Sequence, residues 1–299
     1  MAHTEHPRFL SWDDTRIAYG VRGEPASDRV CLFVNGLFGT DACWAFLQQD
    51  LAMGHRLVTF DLRGHGGSDP PADPAHVTVS DVARDARALL DHLGVERAVL
   101  FGTSYGVQVA LESWRLFPER IAGLVLITGD YEDPLATFRL LGIPPRAWRT
   151  AATTLARLPP RATQATWHAA FRLPIWHALA RLARATRTDS SQMRPFYDHQ
   201  TRIHVPTALR LALAATDHSA EDLLPDVRIP TLVVAGGEDP VTPASRAAAL
   251  RDAIPGAAWL EVPEGTHTTL MEAPEQVNPR VLEFLSGIRW EDQPPEGGV

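Results

Sequence analysis

The chain contains no lysine, so all 28 of its basic residues are arginine. That bias points to a GC-rich coding sequence more than to any specific chemistry. Cysteine is scarce: Cys31 falls in a predicted strand and Cys43 in the helical region after it, with nothing nearby at metal-ligand spacing. Both are read as reduced, partly buried thiols rather than as a disulfide or a metal site. No apolar run approaches the roughly 18 residues of a membrane span. The polar N-terminus MAHTEHPRFLSWDD lacks the apolar core of a secretory signal, and the expected location is the cytoplasm. There is no internal repeat and no glycine-rich phosphate loop, and the basic stretch lacks the signatures of common nucleic-acid modules. No metal, cofactor or nucleic-acid partner is therefore expected.

What is present is a sizeable core: 45% of the 299 residues are hydrophobic and 21% charged. Such a length fits two domains, or one α/β domain with an insertion. The net charge of −8 conceals an asymmetry: residues 134–222 hold 12 Arg against five Asp plus Glu, or +7, so the remainder carries −15. A basic segment sits on an acidic body.

Before residue 130 strands and helices alternate. Short apolar runs at 17–21, 30–34, 57–60, 98–101 and 124–127 read as strands. SDVARDARALLDHLG reads as a helix that Ser80 or Asp81 can cap and Gly94 can end. This alternation favours a mostly parallel sheet with helices on both faces. Residues 134–222 break the rhythm with Ala, Arg, Leu and Trp at helical spacing and are read as a helical insertion. Strand and helix signals resume in IPTLVVAGGEDP, ASRAAALRDAI, AAWLEV and PEQVNPRVLEFL, and the tail 291–299 is expected to be disordered. The expected division is a core of 1–133 and 223–290 with a cap of 134–222.

In AVLFGTSYGVQVALESW, Ser104 stands between a buried strand and a helix, with Gly102 and Gly106 on either side. A serine at the apex of a strand–turn–helix is held in a strained conformation, with its hydroxyl exposed and the first helical N–H groups directed at developing negative charge. Alternatively, such a serine only caps the helix. A hydroxyl is a poor nucleophile near neutral pH and needs a base, itself oriented by an acid. On this fold they follow in the chain order serine, acid, histidine. Asp239 lies directly after the apolar run TLVVA, where a strand end would put it at the sheet rim. Of 12 histidines only His267 lies beyond it. Candidate oxyanion donors are the backbone N–H of Tyr105 and, in the loop NGLFGT after VCLFV, that of Leu37, with Asn35 and Gly36 shaping the loop.

These motifs resemble those of the α/β-hydrolase fold superfamily over roughly residues 8–130 and 225–287. The likeness is carried by Gly102 to Gly106, by FDLRGHGGSD at 60–69, by Gly236 through Asp239 to Pro243, and by Gly265 to His267 with Glu272 and Pro274. It implies an eight-stranded, mostly parallel sheet, a Ser104–His267–Asp239 triad and a helical cap after the sixth strand. It also implies structural rather than catalytic roles for Asp61, Arg63 and His65. Two departures stand out. The oxyanion loop opens with Asn35-Gly36 where the family usually has His-Gly. Asp130, with Glu132, occupies a position after the sixth strand at which some relatives carry their acid.

The nucleophile being serine, ester or thioester hydrolysis through an acyl-serine is the expected reaction. A non-hydrolytic or carbon–carbon-cleaving enzyme (lyase, acyltransferase, perhydrolase) and a non-catalytic ligand receptor are the other readings. Trp148, Trp167, Phe171, Trp176, Phe196 and Tyr197 of the cap would suit a hydrophobic acyl or aromatic group, unless they are core. The cap arginines are solvated helix faces, or they receive an anionic substrate, a coenzyme A thioester or an acidic carrier protein.

Overall fold

A computed structural model describes residues 6–137 and 142–290. The expected tail at 291–299, and residues 138–141 of the expected cap, lie outside the described residues. Eight strands form one sheet: β1 (Arg8–Leu10), β2 (Arg16–Gly23), β3 (Val30–Val34), β4 (Arg56–Phe60), β5 (Ala98–Thr103), β6 (Ile121–Ile127), β7 (Thr231–Gly236) and β8 (Ala258–Val262). Their spatial order is β1-β2-β4-β3-β5-β6-β7-β8. β2 is antiparallel to β1 and β4, and the pairs from β4–β3 through β7–β8 are parallel. The expected eight-stranded, mostly parallel sheet is thus present.

The central strands β3, β5, β6 and β7 are apolar and buried at nearly every position because both faces are covered. Along β3, Val30, Leu32 and Val34 join one core while Cys31 and Phe33 join the other. The first core includes side chains of α2 (Val79–His92), α3 (Tyr105–Leu116) and α9 (Ala244–Ala253). The second is filled from α1 (Ala45–Leu51), α10 (Thr269–Glu272) and α11 (Pro274–Ser286). Between β6 and β7 run α4 (Pro145–Arg157), α5 (Pro160–Phe171), α6 (Trp176–Leu182), α7 (Ser190–His199) and α8 (Val205–Asp217).

Local signals behave as physical chemistry requires, with two corrections. The cap of α2 is Thr78 rather than Ser80 or Asp81: Thr78 accepts from the Asp81 N–H, and the Asp81 carboxylate accepts the Thr78 N–H, closing a capping box. Gly94 follows the helix at φ +62°, as its C-terminal role demands. The other correction is β1, which sequence reading did not anticipate; three residues are too few to display an alternation. Cys31 is buried and Cys43 half-buried, both as free thiols, and burial pushes both pKa values up.

Candidate active site

The parallel strands β5, β7 and β8 end at one edge of the sheet, and the loops that follow them carry the candidate residues. Ser104 directly follows β5 and precedes α3, at φ +53° and ψ −120°. For a residue with a Cβ that conformation costs about 1–3 kcal/mol and persists only where the surroundings impose it. They do so through two hydrogen bonds. The Ser104 N–H donates to the Ile127 carbonyl at 3.0 Å, and the Ser104 carbonyl accepts from the Val107 N–H at 3.0 Å. A Cβ at Gly102 would strike the Gly106 carbonyl, and one at Gly106 would strike the Val34 carbonyl. The two glycines are therefore a packing requirement of the turn.

Asp239 sits in the turn after β7 with its side chain fully buried. Its Oδ1 accepts the N–H groups of Val241 at 2.7 Å and Thr242 at 3.0 Å. Its Oδ2 lies 2.9 Å from Nδ1 of His267. The far nitrogen of that ring, Nε2, is 3.1 Å from Ser104 Oγ. The ionised carboxylate can only accept, so the neutral imidazole carries its proton on Nδ1, leaving Nε2 to accept from the serine hydroxyl. Burial alone would lower the His267 pKa, but the Asp239 carboxylate and, further off, Glu272 outweigh it and hold it above the usual value. Asp130 takes no part in this chain. Arg246 grips it from Nε at 2.7 Å and Nη2 at 2.8 Å and stacks over Tyr131.

The loop after β3 lies against the serine: a Cβ on Gly36 would stand 3.1 Å from Ser104 Cβ. Asn35 points away from the site. Its Oδ1 accepts the Trp44 indole N–H at 2.8 Å, and its Nδ2 donates to the Phe60 carbonyl at 3.4 Å, so it ties the loop to the core beneath. Among the described residues, the N–H groups of Leu37 and Tyr105 donate to no protein acceptor. Phe38, at φ +61°, donates its N–H to His65 Nε2 at 3.4 Å, and its carbonyl accepts from Gln200 of α7's end at 2.8 Å. Burial lowers the His65 pKa to about 4, which keeps the ring neutral and able to accept that N–H. Arg63 is fully buried and bidentate on Asp85, at 2.8 and 2.6 Å. Asp61 accepts the Gly67 N–H at 2.8 Å. All three therefore brace the loops rather than face the serine.

A second brace carries no sequence signal. Arg187 donates from Nη2 to Glu238 at 2.7 Å and from Nη1 to the Glu264 carbonyl, while its backbone N–H reaches Glu272 at 2.6 Å. Thr186 and Thr188 hydrogen-bond Thr268 at 2.7 and 3.2 Å. One short segment of α4–α8 chain thus spans both the aspartate and the histidine loops. Arg187 was indistinguishable in sequence from the eleven other arginines of its region.

Above Ser104 and His267 lies a cavity of about 400 Å³, lined chiefly by apolar side chains. Five of the six aromatic residues singled out from the sequence contribute: Trp148, Phe171, Trp176, Phe196 and Tyr197. The sixth, Trp167, instead stacks on Phe38 with ring centroids 5.3 Å apart. Among the described residues no arginine lines the cavity, so a coenzyme A thioester or acidic carrier protein finds no support here. Nor do the described residues contain a His/Cys/Asp/Glu cluster able to hold a metal or a helix long and apolar enough to cross a membrane.

A profile for the alpha/beta hydrolase fold matches residues 30–274. The chain is 31% identical over 269 residues to a putative carbamate hydrolase RutD of Caulobacter sp. (strain K31), covering 89% of this chain and 94% of that one. It is 32% identical over 280 residues to the dihydrolipoyllysine-residue acetyltransferase component of the acetoin cleaving system of Pseudomonas putida, covering 93% of this chain and 67% of that one. Among solved structures it is similar to a hydrolase from Pseudomonas aeruginosa PA01, with TM-score 0.74 and 25% identity, over 96% of this chain and 100% of that one.

Proposed function

The chain belongs to the α/β hydrolase fold family, and we propose that within it the protein is a serine hydrolase cleaving a carboxylic ester or thioester with an apolar acyl group. One observation carries the reading: the hydrogen-bonded chain Asp239–His267–Ser104, at 2.9 and 3.1 Å, opens on a largely apolar cavity.

In the proposed cycle His267 Nε2 takes the hydroxyl proton as Ser104 Oγ forms a bond to the substrate carbonyl carbon. The N–H groups of Leu37 and Tyr105 stabilise the oxyanion, and Asp239 stabilises the imidazolium. The imidazolium then gives its proton to the departing alcohol or thiol as the acyl-serine forms. Water, deprotonated by the same ring, attacks the acyl-serine carbonyl, and the imidazolium returns that proton to the departing Ser104 Oγ as the carboxylic acid is released. The α4–α8 segment acts as a cap: its aromatic side chains form the acyl pocket, and the Arg187 bridge fixes it over the two loops.

One relative is named as a putative carbamate hydrolase. The apolar lining here favours a carbon acyl chain instead. Nitrophenyl esters and acyl thioesters of graded chain length, assayed for released acid with and without an added acceptor nucleophile, test the proposal. Ser104→Ala should lose at least about a thousandfold in kcat and cease to react with a fluorophosphonate probe. Undiminished turnover in that variant overturns the proposal, as does product formed only with an acceptor.

A further inference from the structure

Residues 134–188 form a 55-residue stretch with nine arginines and no aspartate or glutamate; the first acid is Asp189. Among its described residues, Arg157, Arg161, Arg172, Arg181 and Arg184 form no ion pair, whereas Arg149 and Arg187 do. Charge of one sign is left displayed, without internal compensation.

The same stretch displays aliphatic side chains. A surface helix normally buries an apolar stripe and wets a polar one. α6 does not follow that pattern. Trp176, Leu179, Ala180 and, just beyond it, Ala183 line the cavity above Ser104. A second stripe turned away from the cavity, at intervals of three and four residues, is Ile175, Ala178 and Leu182, all exposed, with Arg181 the charged neighbour. Leu182 is 74% exposed, Leu173 52% and Ile175 45%. The layer between the apolar cavity and the outside thus carries exposed aliphatic residues on its outer side, with the exposed Arg172, Arg181 and Arg184 close to them in the chain. An exposed apolar group ringed by charge marks an interaction surface.

We propose that this outer face docks on an anionic lipid surface, with Leu173, Ile175 and Leu182 entering the boundary between headgroups and acyl chains. The guanidinium groups of Arg172, Arg181 and Arg184 take the headgroup phosphates while their aliphatic stems lie along the apolar layer. An acidic protein or a nucleic acid would satisfy the charge but offers no apolar solvent for three separate aliphatic tips. A bilayer supplies both, on the side of α6 turned away from the cavity. The inference stands apart from the catalytic reading, since it uses none of the residues of the proposed triad.

The test is co-sedimentation of the full chain with two sets of vesicles, phosphatidylcholine alone and phosphatidylcholine with about 30% phosphatidylglycerol. Binding to the anionic vesicles is expected, weakening with salt. Each arginine removed should weaken it by about fivefold. The combined variant Leu173→Ser, Ile175→Ser, Leu182→Ser should bind at least about tenfold more weakly, with an unchanged melting temperature and unchanged hydrolysis of a short soluble ester. Equal binding to both vesicle types, or to neither, overturns the proposal. Binding that survives the serine substitutions and is competed away by polyglutamate also overturns it, and assigns the face to an acidic protein.

Discussion

Replacing Asp239 by asparagine isolates the role of one proton. The variant keeps the size of the side chain and retains an oxygen for the Val241 and Thr242 N–H groups, which hold Oδ1 at 2.7 and 3.0 Å. With that oxygen so placed, the amide NH2 faces His267 Nδ1 across the 2.9 Å gap that Oδ2 now spans. An amide hydrogen pointing at Nδ1 requires that nitrogen to be the acceptor, so the imidazole proton moves to Nε2. That nitrogen then meets Ser104 Oγ as a donor and can no longer take its proton. The expected loss in kcat is about 10,000-fold, or about 5.4 kcal/mol of transition-state stabilisation. Deleting the carboxylate also removes the main influence raising the His267 pKa, so the ring stays neutral but in the wrong tautomer. Raising the pH should therefore not rescue the rate. The assay is kcat/KM against pH for wild type and variant on the same ester. Asp130→Asn is the control: its activity should stay within a few-fold of wild type. Its stability to urea should fall by about 1–3 kcal/mol, because Arg246 loses its charged acceptor at Asp130 while keeping Glu132. Activity of Asp239→Asn within tenfold of wild type, or rescue at high pH, would refute the assignment.

Three further outcomes follow from the same geometry. His267 must be neutral to act as base and its pKa is held above 6.5, so kcat/KM should rise with pH through a midpoint above 6.5; a midpoint below it would show that the acid–imidazole pairing does not persist in solution. Asn35→Leu removes the acceptor of the buried Trp44 indole N–H and should lower unfolding free energy by about 1–3 kcal/mol, measured by urea titration. Gly36→Ala places a methyl 3.1 Å from Ser104 Cβ. The loop must retreat by a few tenths of an ångström, and kcat should fall by about ten- to a hundredfold with the melting temperature little changed.

The sequence was informative where local physics is decisive. β3, β5, β6 and β7 each carry a continuous apolar run because they are covered on both faces, and such a run announces that without any partner being known. Ser104 was conspicuous because only glycine tolerates the close approaches that its turn forces at 102 and 106. β1 failed to register for the opposite reason, being three residues on an edge.

Alternation, turn glycines and chain order thus determined by themselves the sheet, its covering helices and the candidates Ser104, Asp239 and His267, since each depends on backbone geometry a few residues long. Only the tertiary structure decided that Asp239 meets His267 while Arg246 occupies Asp130. It also decided that Asn35 serves Trp44 instead of facing the serine, and that Arg187 among twelve arginines bridges two loops. Each of these is a pairing between groups nine or more residues apart in the chain. Sequence records that a carboxylate or a guanidinium is present; which partner lies within 3 Å of it is set by the packing of the whole molecule.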